Sequence, residues 1–424
     1  MNKFSLIKSF SPIFLLIILL FVNVLEFGND SISGPNQIAL LLSAALACFV
    51  ALKRNISWEE ILKSISNSIK TSSNAMIILL LIGALSGSWL IGGIIPTLVY
   101  YGLELLNVNY FLIATCIITA IVSLSTGSSW STIATIGIAL LAIGKVLAVP
   151  VEITAGAIIS GSYFGDKMSP LSDTTNLASA VTDSDIFEHI KYMSYTTIPS
   201  FVITLVIFFI IGLNYENNSF DNLSNIQDTL VKTFNINPLI LLTPLLVIFL
   251  IVKKIPAVAS LFFAVLLGCL STFIFQKELL ETLMQSDSYL NKSEYYLIIS
   301  SITSNFSVIT ENNSLNLLLN TSGMSGMLNT IWLVISAMVF GGSMQCAGII
   351  KDISEFIKGN RNNEKNIVIK TVISCIFFNI STADQYLSII VNGKIFKQNY
   401  SENKLSSLNL SRTLEDSGTV TSVL

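Results

Sequence analysis

Charged side chains are scarce in this chain. Of its 424 residues, 12% are Asp, Glu, Lys or Arg, whereas soluble globular proteins carry roughly 25%. Residues 71–144 contain one charged side chain, Glu104. Such a stretch cannot cover a surface that faces water, but it can face lipid. The composition therefore indicates an all-α polytopic membrane protein with the lipid bilayer as its partner, and it argues against a soluble enzyme.

Histidine, paired cysteine and basic charge are also scarce. The single histidine, His189, cannot build a two-histidine zinc motif, and its polar neighbours predict a surface or interfacial position. The formal net charge of −3 offers no basic field for nucleic acid. No cofactor and no disulfide framework are expected, because the cysteines stand singly inside apolar segments, at Cys48, Cys116, Cys269, Cys346 and Cys375.

Apolar runs predict about ten to twelve transmembrane segments, several of them short or interrupted by Gly, Ser and Thr. Segments 57–73 and 294–328 are amphipathic or polar and are predicted to be interfacial or re-entrant. Segment 185–195 is predicted to be an interfacial helix with Asp185 or Ser184 as its N-cap. The predicted spans are 12–27, 36–52, 75–101, 109–125, 130–149, 152–165, 198–214, 237–252, 255–275, 329–350 and 367–383.

The chain contains a weak internal repeat with a spacing of about 255 residues. Gly87-Ser88 corresponds to Gly342-Ser343, and 93–95 corresponds to 348–350. At nearly the same offset, Ser125-Thr126 corresponds to Ser381-Thr382. After a gap, 171–179 resembles 414–422. Each match is short, but the shared order and nearly constant offset favour a duplication.

Positive charges set the orientation of the two copies. Placing the Lys- and Arg-rich segments inside makes 75–101 run outward and 329–350 run inward. Opposite directions indicate inverted repeats with broken or re-entrant helices, an architecture of secondary transporters that bind substrate near mid-membrane. The predicted division is 1–56 as N-terminal scaffold helices, 57–197 as the first repeat, 198–290 as linking scaffold and 291–424 as the second repeat.

Four polar runs interrupt apolar sequence, at 123–130, 160–176, 379–386 and 413–419. Solvated loops are the ordinary alternative, but hydroxyl-rich runs between uncharged spans are also typical of broken helices that line a wet cavity. Burial of a carboxylate such as Asp384 among apolar neighbours costs free energy, so such a residue is expected to have a functional role or a polar partner. Thr126 and Ser128 in the first run are candidate binding residues.

Paired oxygen-rich clusters predict a cation site. Asp173 stands with Thr174, Thr175 and Asn176, and Asp384 stands with Thr382 and Gln385. A small hard cation such as Na⁺ takes carboxylate, hydroxyl, amide and carbonyl oxygens, with Asp173, Thr174, Asn176 and Asp384 as the candidate Na⁺ ligands. A buried carboxylate can hold a proton or a cation but not both. Alternating access would convert that competition into antiport.

The segment GSYFGDKMSPLSDTTNLASAV (161–181) closely resembles the signature of NhaC-type Na⁺/H⁺ antiporters. Segments 81–103, 125–144, 381–396 and 410–424 resemble the same family in the same order. The resemblance implies a bacterial inner-membrane secondary transporter that couples Na⁺ to H⁺; relatives also exchange malate, lactate or amino acids. It carries over as ion- or substrate-binding candidates Asp166, Ser172, Asp173, Thr174, Thr175, Asn176, Thr382, Asp384, Gln385, Asp416, Ser417 and Thr419.

The family pattern continues beyond Leu424, so the last crossing is expected to be incomplete in this chain. Three interpretations stay open: a Na⁺/H⁺ antiporter, a Na⁺/H⁺-coupled exchanger of a small organic acid or amino acid, and a structural fragment. An intramembrane aspartyl protease would need glycine at position 163, where Tyr163 stands. The chain is therefore not expected to be an enzyme, and transporters of similar architecture suggest a homodimer.

Overall fold

The computed structural model describes residues 3–105, 107–215, 220–253, 255–286, 289–310, 315–316, 319–358, 364–382 and 385–423. Within these residues the chain is almost entirely helical. Its strands form one short antiparallel pair, β1 (Phe306–Ser307) and β2 (Asn320–Thr321), with Phe306 opposite Thr321. The all-α class expected from the composition is confirmed.

Twenty α-helices follow one another among the described residues. They are α1 (Lys3–Phe27), α2 (Pro35–Lys53), α3 (Trp58–Ile91), α4 (Ile94–Leu105), α5 (Val108–Thr126), α6 (Ser129–Thr132), α7 (Ile138–Val146), α8 (Val151–Met168), α9 (Asp173–Val181), α10 (Ile186–Leu213), α11 (Phe220–Thr233), α12 (Leu242–Val252), α13 (Ala257–Phe275), α14 (Lys277–Gln285), α15 (Glu294–Thr303), α16 (Leu328–Cys346), α17 (Ile349–Lys358), α18 (Glu364–Thr382), α19 (Gln385–Glu402) and α20 (Ser407–Leu414). Short 3-10 helices occupy Gly28–Ser33, Pro238–Leu241, Met324–Met327 and Val420–Val423, and π-helical turns occupy Ile133–Gly137 and Glu415–Thr419.

The long apolar helices have the dimensions of membrane spans. Eight helices in the described part of the chain are long and apolar enough to cross a membrane, or nine if the pair Asn225–Thr233 and Pro238–Val252, bent by 89°, is one span. This is a multi-pass membrane protein. The number is lower than the ten to twelve predicted, because α8 carries three charged residues, Glu152, Asp166 and Lys167, and the apolar part of α18, Asn366–Ile380, is too short.

Large apolar side chains cover the outer faces of these helices. On α10, Ile203, Val206 and Ile210 are exposed, and on α13 Phe263 and Leu270 are exposed. Contiguous apolar surface of this kind is unstable in water and marks a surface that another apolar phase covers. The lipid bilayer is that phase for a chain with these spans.

One compact unit comprises Ile77–Ser172 and Thr196–Leu328. Its core includes the fully buried Trp89, whose indole nitrogen donates to the carbonyl of Ala264 at 3.1 Å. Helix α5 packs along α8 in this unit. The approach is close because α8 presents glycine: an added Cβ at Gly165 would lie 2.5 Å from the Leu124 nitrogen.

The other compact unit comprises Met1–Met76, Asp173–Tyr195 and Asn329–Leu424. It has two apolar clusters. One joins α2 and α16 through residues such as Ala47 and Met344. The second joins α9, α18, α19 and α20 through residues such as Ala178 and Ile389. The predicted division into scaffold segments and inverted repeats stays a prediction.

Several predicted boundaries differ from the observed ones. Segment 57–73 is not a separate interfacial helix, because it continues into the 34-residue α3. A helix of that length spans about 50 Å, so its polar end can extend beyond the hydrocarbon. The predicted span 75–101 is interrupted at Gly93, which has φ +73°. The predicted interfacial segment and the predicted span thus become a long helix followed by a short one.

The predicted interfacial helix 185–195 is likewise wrong as a separate element, because it is the beginning of the 28-residue α10. Its predicted N-cap is confirmed. The Asp185 carboxylate accepts hydrogen bonds from the backbone nitrogens of Phe187 at 2.9 Å and Glu188 at 3.0 Å. These two bonds satisfy donors that have no partner within the helix.

Matching local geometry supports the internal repeat. Gly93 and Gly348 have φ of +73° and +69°, and each precedes a short helix. The Ser123 hydroxyl donates to the Ser162 carbonyl at 2.5 Å, and the Asn379 amide donates to the Gly418 carbonyl at 2.6 Å. Each of these two bonds joins residues 39 positions apart.

The tail of the predicted repeat alignment is wrong. Segment 171–179 begins before α9, after the chain has left α8, whereas 414–422 continues α20 without a break. The bonds of Ser123 and Asn379 instead align α8 with α20 and the π-helical turn that follows it. Shared residue types misled the sequence alignment, because Ser, Thr and Asp recur in all four polar runs.

Candidate functional site

Helix α5 ends at a break that glycine makes possible. Gly127 has φ +67°, and an added Cβ there would lie 2.6 Å from the Leu171 Cβ. The Gly127 nitrogen donates to the Ser123 carbonyl at 2.8 Å, which closes the end of α5. The chain resumes as a helix at Ser129, with Ser128 as N-cap through a 3.2 Å bond from the Ser131 nitrogen.

The Asp166 carboxylate lies at this break. It sits in the last turn of α8, and its Oδ2 accepts from the Ser129 nitrogen at 3.0 Å and from the Ser129 hydroxyl at 2.7 Å. The Thr126 hydroxyl lies 3.5 Å from both the Ser128 carbonyl and the Thr132 hydroxyl. Three sequence-predicted residues, Thr126, Ser128 and Asp166, are therefore brought together around one interrupted helix. A helix N-terminus is a favourable place for a carboxylate.

Ser172 belongs to the turn between α8 and α9. Its side chain is buried, and its nitrogen donates to the Ser169 carbonyl at 3.2 Å. Pro170 follows the end of α8 in this turn, as its inability to continue a helix predicts. The helix break that the second polar run predicts is thus present between α8 and α9.

The cluster 173–176 forms the first turn of α9. Asp173 and Asn176 are exposed on one face, whereas Thr174 and Thr175 are buried on the other. Residues three apart share a helix face, so the four predicted ligands divide into two pairs. The structure does not bring all four side chains to one point.

A buried carboxylate meets the inner face of α9. The Thr174 hydroxyl donates to Glu415 Oε1 at 2.9 Å, and Glu415 is 0% exposed. Its neighbour Asp416 is half-buried, with the Arg412 Nε 4.0 Å from its Oδ2. Arg412 also lies over the Tyr192 ring at 4.6 Å. Glu415 is thus the interior acid of this run, and Asp416 takes part in a polar contact.

Sequence reasoning missed Glu415 and chose Asp416. Consecutive residues point about 100° apart on a helix, so only one of two adjacent acids can face the interior. Ser411, one helical turn before Glu415, is also 0% exposed, so Glu415 continues the face of α20 that carries Ser411 into the interior.

The remaining candidates lie at the ends of α18 and α19 and in the π-helical turn. Ser417 and Thr419 are buried, and the Ser417 hydroxyl donates to the Thr413 carbonyl at 2.5 Å. Gln385 is the first residue of α19 and is half-buried. Thr382 ends α18. Asp384, the predicted carboxylate of this run, lies outside the described residues.

His189 does not lie on the surface, as its polar neighbours had suggested. It is 0% exposed, and its Nδ1 lies 2.8 Å from the Ser411 hydroxyl. Ser411 precedes Glu415 by one helical turn. The sole histidine of the chain therefore lies in the same buried polar layer as the interior acid, with its Nδ1 at hydrogen-bond distance from a hydroxyl.

Comparison with known proteins identifies relatives over most of the chain. Residues 161–424 match the model of the Na⁺/H⁺ antiporter family. The malate-2H⁺/Na⁺-lactate antiporter of Bacillus subtilis is 36% identical over 390 residues, which is 92% of this chain and 80% of that protein.

Two further relatives have similar coverage. The Na⁺/H⁺ antiporter NhaC of Alkalihalophilus pseudofirmus is 33% identical, over 92% of this chain and 80% of its own length. The arginine/ornithine antiporter ArcD of Halobacterium salinarum is 34% identical, over 96% of this chain and 81% of its own length. The family match and the extent of these alignments confirm the resemblance noted in the sequence: the chain belongs to the NhaC-type Na⁺/H⁺ antiporter family.

Proposed function

We propose that this protein exchanges Na⁺ for H⁺ across the bacterial cytoplasmic membrane by alternating access. One observation carries the proposal: a carboxylate lies at each of two interruptions of helical structure. Asp166 bonds to Ser129 where α5 breaks, and Glu415 accepts from Thr174 at a π-helical turn. Irregular helix at membrane depth is typical of the ion sites of secondary transporters.

The chemistry of a buried carboxylate supports exchange. An ionised carboxylate excluded from water needs a counter-cation, and without one it takes up a proton. The same oxygens therefore hold Na⁺ or H⁺ in turn. The remaining candidate ligands are Ser172, Asp173, Thr174, Thr175, Asn176, Thr126, Ser128, Thr382, Asp384, Gln385, Asp416, Ser417 and Thr419. Such a cycle draws its energy from ion gradients, with no cofactor and no chemical conversion of a substrate.

Substitution of the two carboxylates tests this proposal. Asp166→Asn and Glu415→Gln keep the size of each side chain but remove its charge. In proteoliposomes, each change is expected to lower Na⁺-driven H⁺ efflux at least about tenfold, the effect of losing roughly 1.4 kcal/mol of stabilisation. A pH-sensitive dye in the lumen reports the flux.

Glu402→Gln is the matched control. Glu402 is an exposed acid at the end of α19 that accepts from Gln398 at 2.8 Å. Its amide variant is expected to transport as the wild type does. Wild-type flux in both Asp166→Asn and Glu415→Gln would overturn the assignment of these acids.

A second candidate function is exchange of a small organic solute coupled to Na⁺ and H⁺. The 36% identity to the Bacillus subtilis malate-2H⁺/Na⁺-lactate antiporter favours it. Backbone amides at helix N-termini can hold a carboxylate group. Pulses of malate, lactate, arginine and ornithine beside NaCl distinguish the two, since an organic-solute exchanger moves protons only when its solute is present.

A further inference from the structure

Asn379 has an unusual environment for a residue outside the predicted ligand set. It lies in the last turn of α18, five positions before Asp384, and only 6% of its surface is exposed. Asn392 on α19 shows the satisfied arrangement: it accepts from the Ser374 hydroxyl at 2.6 Å and donates to the Ser388 carbonyl at 2.8 Å. Both polar ends of that buried amide are satisfied.

The amide nitrogen of Asn379 is held by acceptors of one segment. It donates to the Gly418 carbonyl at 2.6 Å and to the Thr421 hydroxyl at 2.8 Å, and it lies 3.5 Å from the Ser417 carbonyl. A flipped amide would place its oxygen against two carbonyl oxygens, which repel it. The contacts therefore fix which end of the amide faces the π-helical turn.

The other end of the amide has no such partner. Asn379 Oδ1 is buried and accepts no hydrogen bond within the part of the chain that the structure describes. A buried acceptor left without a donor is costly, and native structures rarely keep one without a reason. A carboxamide oxygen with both lone pairs available is a good ligand for a hard cation.

The internal repeat separates the two roles of Asn379. Its counterpart Ser123 makes the matching bond, from its hydroxyl to the Ser162 carbonyl at 2.5 Å. A serine is thus sufficient to hold α8 against α5. Asparagine in the second repeat supplies the same bond and adds an oxygen that the bond does not use.

From these contacts we infer that Asn379 is a ligand of the transported cation, through its carboxamide oxygen. The inference rests on the proposed Na⁺/H⁺ exchange and adds a residue to its site. The amide nitrogen holds the π-helical turn in place, and the oxygen binds Na⁺ once the ion has lost part of its hydration. A neutral oxygen contributes affinity for Na⁺ without binding the competing proton.

Two substitutions distinguish the role of the Asn379 amide oxygen from that of its amide nitrogen. Asn379→Ser copies the Ser123 arrangement, so it keeps a donor for the Gly418 carbonyl and removes the carboxamide oxygen. Asn379→Asp keeps an oxygen in place and removes the nitrogen, and because its second oxygen then faces the carbonyls of Ser417 and Gly418, the variant is expected to melt at a lower temperature than the wild type. Asn399→Ser is the matched control, because Asn399 is also a buried asparagine of this unit, on α19, and its Oδ1 likewise accepts no hydrogen bond from the described residues, but it lies outside the polar runs.

The readout is the Na⁺ concentration that gives half of the Na⁺-dependent rise in melting temperature, measured on the purified full chain in detergent against choline. We expect Asn379→Ser to raise this concentration about tenfold or more. Asn379→Asp is expected to stay within about threefold of the wild type, and Asn399→Ser to match it.

A wild-type value for Asn379→Ser would overturn the inference, as would an equal loss in Asn379→Ser and Asn399→Ser. If Asn379→Asp does not fold, the comparison of Asn379→Ser with Asn399→Ser still tests whether the Asn379 oxygen binds Na⁺. Failure of the proposed function looks different: the wild type itself would then show neither Na⁺-dependent stabilisation nor Na⁺-driven proton movement in proteoliposomes.

Discussion

At the scale of single residues, the buried Glu415 organises the polar layer of its unit. Its Oε1 receives the Thr174 hydroxyl at 2.9 Å, and Ser411, one turn earlier, lies 2.8 Å from His189 Nδ1. All four side chains are buried. Polar groups in an apolar surrounding are stabilising only while they satisfy one another, so this layer should be sensitive to single deletions.

Removal of the Thr174 hydroxyl tests that sensitivity. Thr174→Val keeps the shape of the side chain but removes the donor to Glu415, and we expect it to lower the free energy of unfolding by about 1–3 kcal/mol. Thr174→Ser keeps the hydroxyl and should lose less. Melting temperatures of the purified variants in one detergent measure the difference, and equal melting of the valine and serine variants would contradict the importance of this bond.

The residue scale also marks a limit of sequence reasoning. Thr126 and Ser128 were predicted from their polar run and Asp166 from the family resemblance, and the structure brings the three together. Glu415 was missed because adjacent acids look alike in a sequence. His189 was misplaced because its polar neighbours lie on other faces of α10. In both cases the face of the helix, rather than the composition of the run, decides burial.

At the scale of elements, the helix breaks depend on glycine. Gly127 combines a φ of +67° with the close approach of Leu171. Gly28 has a similar φ of +52° but nothing within 4 Å of an added Cβ. A comparison of substitutions at these two glycines therefore distinguishes the effect of backbone strain from the effect of steric crowding.

Gly127→Ala and Gly28→Ala form a matched pair. Both substitutions place alanine in a left-handed backbone conformation, which lowers stability by about 1–2 kcal/mol. Only Gly127→Ala also displaces Leu171. We expect Gly127→Ala to reduce transport strongly and to melt at a lower temperature than Gly28→Ala. The same transport rate in the two variants would mean that the close packing at this break has no role in function.

Element boundaries were predicted less well than element type. Helices were expected in the long apolar runs and are present in those that the structure describes, since long apolar runs in lipid must satisfy their backbone groups internally. The junctions at 57–75 and 185–198 were wrong, because a change from amphipathic to apolar sequence alters the surroundings of a helix without ending it. The Asp185 cap was predicted correctly, since capping depends on local chemistry alone.

At the scale of the whole molecule, the distribution of positive charge predicts an orientation in the membrane. Lys63 on α3 belongs to a basic segment and is predicted to be inside. Asp228 on α11 belongs to a segment poor in Lys and Arg and is predicted to be outside. Both side chains are exposed, so both positions are suitable for labelling.

Cysteine accessibility measures this orientation. In a variant whose five cysteines have been replaced, Asp228→Cys should react with a membrane-impermeant maleimide in intact cells. Lys63→Cys should react only after the cells are permeabilised. The reverse pattern would contradict the predicted orientation.

The most direct test is a pH measurement in proteoliposomes that hold the wild-type chain and an acidic lumen. Addition of NaCl outside, with choline chloride as the control, should make the lumen more alkaline as Na⁺ enters and H⁺ leaves. No organic solute should be required. A lumen that stays acidic with NaCl, but becomes alkaline when malate, lactate or an amino acid is added, would contradict simple Na⁺/H⁺ exchange and favour a solute exchanger.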